Sequence, residues 1–373
     1  MSPGAEHLQS SAAGPGPVCV VGCPRSGTYL LSMMLSHVFG VAFPVETHFV
    51  PLFRRRLSAF GDLAHVQNRE LLLRCIFDFL SIWTPRSERD RDPAIIRYNS
   101  LLAAEESTDT ILAQSVDFDG LVDALFRAYA RVHNSQVYGE KSAYFRHWPL
   151  EQSLPDPQRS RVIHVIRDGR DVALSWMGIW TGPVTLGQAA RTWSEHVQAK
   201  RAWGAVHPDR YFELRYEDLV RAPDTVMQDL ARFLGAETVA PVETFHRSAL
   251  ATTLASGAPH AKLAEPVDHS NVGRWQQAMP AEGQRLFEHC AGATLTELGY
   301  SRRYTNTGSA HHSPVLMLRA AAQSIRGRMS GHELQIQSKT QLPMCILACR
   351  RLGVSPLRLL NQKHPTFLSH QLG

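Results

Sequence analysis

The chain has 373 residues, 44% of them hydrophobic and 20% charged, with a formal net charge of +5 and a pI near 9.0. This composition excludes a disordered polyelectrolyte, supplies apolar content for one large or two ordinary domains, and mildly favours an anionic ligand. There is no run of 18 apolar residues to span a membrane. The six cysteines (Cys19, Cys23, Cys75, Cys290, Cys345, Cys349) are too few and too scattered for a disulfide framework or a zinc knuckle. A reduced, cytoplasmic protein is the expectation, with Cys345 and Cys349, one helical turn apart, as small core residues.

Residues 1–17 are rich in Gly, Pro, Ser and Ala and lack the basic and apolar stretches of a signal peptide, so they read as a disordered N-terminus. Short apolar runs then predict buried strands at Val18–Val21, Gln136–Tyr138, Val162–Ile166 and Tyr211–Leu214, with a shorter one at Val41–Phe43. Helical patterns follow over Gly27–Val38, Asp171–Trp180 and Thr225–Leu234, the last stopped by Gly235. Strands alternating with helices predict an α/β fold, a parallel β-sheet flanked by helices on both faces. Residues 50–135 read as mostly helical, including 119–132, around a charged loop at 86–92. The core domain would end near residue 304. Residues 305–373 carry eight Lys/Arg against one acid, Glu333, and contain two Ser-Pro helix starts, Ser313–Pro314 and Ser355–Pro356. They read as a basic helical C-terminal extension. It would either pack on the domain or another subunit, or make peripheral membrane contact through a face such as Leu316, Met317, Ala320 and Ile325 ringed by Arg319, Arg326 and Arg328.

The loop after the first strand, "GCPRSGTY", places Gly22 and Gly27 at the spacing of a Walker A loop. Thr28 stands where that motif has its lysine, and Tyr29 where it has the magnesium-binding hydroxyl. The loop still aims backbone N–H groups and a helix N-terminus at an anion, and Arg25 supplies positive charge without a metal. Arg167 directly follows the strand Val162–Ile166, and Asp168 is placed to cap the next helix. A bland role for Arg167 is an ion pair with Asp168 or Asp171. Lys141 and Tyr216 also come just after predicted strands. Four strands delivering Arg25, Lys141, Arg167 and Tyr216 to one edge make a cationic cleft. His164, mid-strand, reads as a core histidine.

These motifs resemble those of the sulfotransferases that use 3′-phosphoadenosine 5′-phosphosulfate (PAPS) over roughly residues 18–303. The family's 5′-phosphosulfate loop, P-[RK]-S-G-T-T-x-L, is similar to "PRSGTYLL", residues 24–31, with Tyr29 replacing the second threonine. The resemblance implies that Pro24, Arg25, Ser26, Gly27, Thr28 and Tyr29 hold the phosphosulfate, and that Arg167 and Ser175 hold the 3′-phosphate. By the further motifs "RYEDLVRAP" and "NVGRW", Tyr216 and Arg274 would also touch the nucleotide. The segment "PVETHFVPLF" looks most like tyrosylprotein sulfotransferases. It carries the family's general base onto Glu46, and the strand–Glu–Lys motif carries its catalytic lysine onto Lys141. His48 falls where those enzymes keep an arginine and is the alternative base, and Ile179 replaces a second family arginine near the 3′-phosphate.

The implied activity is transfer of a sulfuryl group to an acceptor hydroxyl on a carbohydrate or glycolipid, a small metabolite or a peptide tyrosine, with Glu46, Lys141 and Arg25 catalytic and no metal required. A P-loop kinase and a non-catalytic polyanion-binding protein remain alternatives. No nucleic-acid-binding signature is present.

Overall fold

The computed structural model describes residues 16–83, 100–141, 149–179, 182–235, 241–248, 265–304, 331–353 and 355–356. The expected N-terminal tail up to residue 15, the 86–92 loop and the basic stretch 305–330 lie outside these residues.

At the centre is a four-stranded, fully parallel sheet in the order β2-β1-β3-β4. Its strands are β1 (Val18–Gly22), β2 (Gly139–Glu140), β3 (Arg161–Ile166) and β4 (Tyr211–Arg215). β1 pairs with β3 from Val18↔Arg161 to Gly22↔Val165, so the two strands end together. Covering both faces of the sheet is what makes β1 read as a continuous apolar run. Val18 and Val20 join one core with helix α1 (Thr28–Phe39), while Cys19 and Val21 join another around Trp203.

Two helical layers complete this α/β unit. On one face α1 packs with α8 (Tyr216–Arg221) and α9 (Pro223–Leu234). On the other lie α6 (Gly169–Met177), α7 (Leu186–Val206) and α11 (Ala281–Glu297), joined through Trp176, Trp193 and Phe287. The short α10 (Trp275–Ala278) packs against α6. A separate core is built by α2 (Phe49–Arg54), α3 (Val66–Trp83), α4 (Thr108–Ala113) and α5 (Phe118–Val132), with a Phe53–Phe79 edge-on pair at its centre.

The expected strands hold, with one shift. The residues paired with β1 are Gly139 and Glu140, just after the expected run Gln136–Tyr138, whose last carbonyl, that of Tyr138, still accepts the Val18 N–H at 3.1 Å; Tyr138 also bridges Ala42, and the expected strand at Val41–Phe43 reduces to that one bridge. A Cβ at Gly139 would lie 2.2 Å from Cε1 of Phe43, so only glycine lets these segments approach. Asp168 caps the next helix, as expected, accepting the Arg170 N–H at 2.9 Å, so the helix begins at Gly169, two residues before the apolar pattern placed it.

The described part of the C-terminal extension is a helix, α12 (Gly331–Arg351), which packs on α3 and α2. Ile346 and Leu347 are fully buried in the same core as Phe49 and Phe79. Cys349 is buried as expected, whereas Cys345 points to solvent. Arg350 grips Asp78 of α3 with two bonds, 2.5 and 2.7 Å long. The Leu316–Arg328 face expected for membrane contact lies outside the described residues. Asp78 is 8% exposed, so Arg350→Ala strands its carboxylate in the core. A stability loss of about 1–3 kcal/mol is expected, read as a lowered urea midpoint at unchanged m-value.

Candidate active site

β1 ends at Gly22, where a Cβ would stand 2.7 Å from the Val165 carbonyl oxygen of β3. The chain therefore turns at once. The Ser26 N–H donates to the Cys23 carbonyl at 3.1 Å, and Arg25 sits in the left-handed region at φ 71°. Gly27 caps α1 at φ 98°, with the Tyr216 ring laid against it so closely that a Cβ would be 2.4 Å from Cδ2. No side chain caps α1, so its N-terminal dipole is offered to an anion. Ser26 Oγ is buried there without a hydrogen-bond partner among the described residues.

Arg25 reaches across the sheet edge: its Nε donates to Ser175 Oγ of α6 at 3.1 Å. The two segments expected to hold opposite ends of one ligand are thus in contact. Arg167, at the end of β3, is 8% exposed. Its Nη1 donates to the Arg25 carbonyl at 3.2 Å and its Nη2 to the Asn271 carbonyl at 2.6 Å, while Nε is buried without a partner. Its guanidinium lies 4.4 Å from the Tyr216 ring centroid.

The bland alternative for Arg167, an ion pair with Asp168 or Asp171, does not form among the described residues, although Asp171 feels its charge. Asp168 is taken up by α6's N-terminus and by the Arg170 guanidinium. Asp171 accepts the backbone N–H groups of Gly273 and Trp275 at 2.7 and 2.8 Å, which fixes the turn carrying Arg274. Arg274 itself is exposed on that turn.

Several supporting residues escaped the sequence reading although they lie inside its motifs. Glu217 follows Tyr216 and accepts both the Asp168 N–H (2.9 Å) and the Tyr300 hydroxyl (3.0 Å). It thereby ties β4, β3 and the "LGY" segment together. Arg170 bridges Asp168 and the buried Glu288 of α11 and stacks on Trp275, 3.5 Å from the ring centroid. Asn271 contributes its carbonyl rather than its side chain to Arg167.

A second cluster sits beyond the loop, where β2 ends. Lys141 is buried at 3% exposure, ion-paired through Nζ to Glu46 Oε1, and its Nζ lies 3.2 Å above the Tyr29 ring centroid. Glu46 Oε2 meets His48 Nε2 at 3.1 Å. His48, at φ 53°, turns the chain into α2. Burial pushes the Glu46 carboxyl upward, but the Lys141 ammonium and the His48 bond outweigh it and hold the group well below the usual carboxylate range. Next to it the Thr47 hydroxyl donates to Glu140 at 2.9 Å.

His164 is fully buried, with Nδ1 2.6 Å from the Tyr211 hydroxyl. Its Nε2 has no partner among the described residues, so it is a core histidine only half satisfied. Among the described residues no group of three or more His, Cys, Asp or Glu is placed to hold a metal ion, and no helix is long and apolar enough to cross a membrane.

Residues 17–240 match the model of the sulfotransferase family. No curated protein sequence matches the chain. Among solved structures, the sulfotransferase domain of the Synechococcus PCC 7002 olefin synthase is similar in fold: TM-score 0.52 at 18% identity, over 79% of this chain and 99% of that one. The sulfotransferase domain from the curacin biosynthetic pathway gives 0.47 at 17%, over 77% and 98%. The sulfotransferase STF9 of Mycobacterium avium gives 0.36 at 16%, over 77% and 78%.

Close to the loop, α7 buries Lys200 against His196 Nδ1 at 3.1 Å, with Cys23 among its electrostatic neighbours. Burial pulls its pKa from the ordinary 10.5 down to about 8. The folded state thus releases this proton before the unfolded state does, so Lys200 makes stability rise with pH between about 8 and 10.5. Lys200→Met should flatten that rise and stabilise the protein at pH 7 by on the order of 1–3 kcal/mol, measured by urea unfolding across pH 7–11.

Proposed function

Because the chain belongs to the sulfotransferase family, we propose that it transfers the sulfuryl group of PAPS to an acceptor hydroxyl. The observation that supports this most directly is a pair of buried, unsatisfied polar atoms, Ser26 Oγ and Arg167 Nε, on two loops already joined by the Arg25–Ser175 bond. Buried polar groups without partners mark places where a ligand completes the hydrogen bonding. With the uncapped α1 terminus and an arginine that, among the described residues, hydrogen-bonds only to carbonyls, they fit an anion with two charged ends.

In this reading Pro24 to Tyr29 hold the 5′-phosphosulfate, Arg167 and Ser175 the 3′-phosphate, and Tyr216 and Arg274 the rest of the nucleotide. The donor, when bound, supplies a sulfuryl group activated by a phosphate leaving group. Arg25, Lys141 and the N–H groups at the start of α1 oppose the negative charge that grows on the leaving side. No role is assigned to a metal, since Thr28 and Tyr29 stand where a Walker loop has its lysine and its magnesium-binding hydroxyl.

Glu46 takes the acceptor's proton as general base. While Lys141 is paired with it, Glu46 is a weak base. Turning Lys141 toward an anion removes the main charge holding its pKa down and raises its basicity. The same lysine therefore couples charge stabilisation to proton removal. His48, bonded to the other carboxylate oxygen, can share that proton and is the alternative base.

Two measurements test this. Adenosine 3′,5′-diphosphate should raise the melting temperature without added metal, and Arg167→Ala should weaken its binding by roughly 10–100-fold while weakening adenosine 5′-phosphosulfate far less. Equal losses for both ligands would remove Arg167 from the 3′-phosphate, and binding without any turnover would favour a non-catalytic anion-binding protein. Glu46→Gln should lower turnover by about 10²–10⁴-fold with nucleotide affinity nearly unchanged. Near-normal turnover in Glu46→Gln, combined with its loss in His48→Ala, would move the base to His48.

A further inference from the structure

Lys141 is held in an unusual way. Its ammonium is buried, is ion-paired among the described residues with the Glu46 carboxylate, and rests on the face of an aromatic ring 3.2 Å from its centroid. That ring belongs to Tyr29, in the first turn of α1, the position where the loop departs from the pattern it otherwise resembles. A threonine there could offer a hydroxyl, but no π-face.

We propose that Tyr29 is a positioning residue for the reaction: its ring clamps the Lys141 ammonium by a cation–π contact and keeps it charged as it moves between Glu46 and the donor. The inference rests on the role given above to Lys141.

The physical case has two parts. An ammonium has three N–H donors, and a carboxylate that accepts one also fixes its direction. A ring face attracts the charge broadly and leaves the donors free to turn. The clamp thus holds Nζ in place without committing it to Glu46. The second part concerns charge. Burial lowers the Lys141 pKa from the ordinary lysine value, and Arg25 pushes the same way. Glu46 and Glu140 oppose them, and His48 bonds to Glu46 from its far side. Once Lys141 leaves Glu46, the ring remains in contact with the ammonium and, together with the charge of Glu140, attracts it independently of both the base and the ligand.

The test is an NMR titration of Lys141 in the full chain, labelled at lysine and assigned by comparison with Lys141→Met. Tyr29→Phe keeps the ring and should leave the Lys141 titration within a few tenths of a pH unit of the parent. Tyr29→Leu removes the ring and should lower the midpoint by about one pH unit, the size expected of a desolvated cation–π contact. A ring-fluorinated phenylalanine at position 29 preserves shape while draining the negative face. It should behave like Tyr29→Leu, and it covers the case in which the leucine variant does not fold. An unchanged midpoint in the fluorinated variant, or Tyr29→Phe shifting as far as Tyr29→Leu, would overturn the clamp and return Tyr29 to a hydroxyl or packing role. Adenosine 3′,5′-diphosphate binding, followed by thermal shift on the same samples, separates the two readings. Loss of nucleotide binding by the parent protein with an intact ring effect sinks the donor assignment and not the clamp.

Discussion

The constraint on which the rest of the site depends is the register of β1 against β3. The two strands run parallel and finish level, Gly22 beside Val165, with no space for a side chain between them. Both loops must then leave the sheet at the same edge, which is where open parallel sheets bind ligands. Arg25 reaches Ser175 and Arg167 reaches the Arg25 carbonyl because the strands deliver them side by side. The acids at this edge could have neutralised those arginines, but the backbone has claimed them. Asp168 caps α6, Asp171 holds the Gly273–Trp275 turn, and Glu217 holds the Asp168 amide. Using carboxylates as scaffolding keeps the cationic edge cationic, so the framework and the proposed anion preference come from one set of bonds.

The Glu46–Lys141 pair works on a different principle. A buried ion pair adds little stability beyond the desolvation it must offset, yet separating its members changes both strongly. Glu46 is held ionised by Lys141 and His48 together, so its strength as a base depends on where Lys141 points. A fixed carboxylate of low pKa would be a poor proton acceptor. A carboxylate whose partner can be drawn off is a conditional one, and in the proposed reaction the condition is the arrival of an anion near Lys141.

Much of this was legible in the sequence because it rests on short, strongly patterned segments. Strands buried on both faces read as plain apolar runs, and the glycines of the first loop marked its shape. What was not legible has different causes. The 21-residue α7 and the 17-residue α11 turn buried faces toward the core that carry Thr192, His196, Lys200, Gln284, Glu288 and Thr294, so their apolar period is broken where it should be clearest. Strand β2 was misplaced by three residues, since Val137 and Tyr138 are apolar for packing and the pairing falls to Gly139 and Glu140. The bonds of Arg167 to the Arg25 and Asn271 carbonyls leave no residue-type signature at all. Side-chain identity can suggest an ion pair, but main-chain carbonyls compete for the same guanidinium unseen.

The C-terminal helix shows how far the site's support extends. α2 begins at Phe49, one residue after His48, whose backbone is held in the left-handed region that a histidine adopts at some cost. That strained turn aims Nε2 at Glu46, and it persists only if α2 is firmly seated. The seat is the aromatic core of Phe49, Phe53 and Phe79, and α12 closes it from outside with Ile346 and Leu347. The Arg350–Asp78 pair then sets α12 on α3, and Arg351 donates to the Ala59 carbonyl just beyond α2. A basic tail that looks separable by composition is, over its described length, part of the wall behind the proposed base. Its described arginines, Arg350 and Arg351, fix α12 to the helices and loop that carry the chain away from His48 and Glu46.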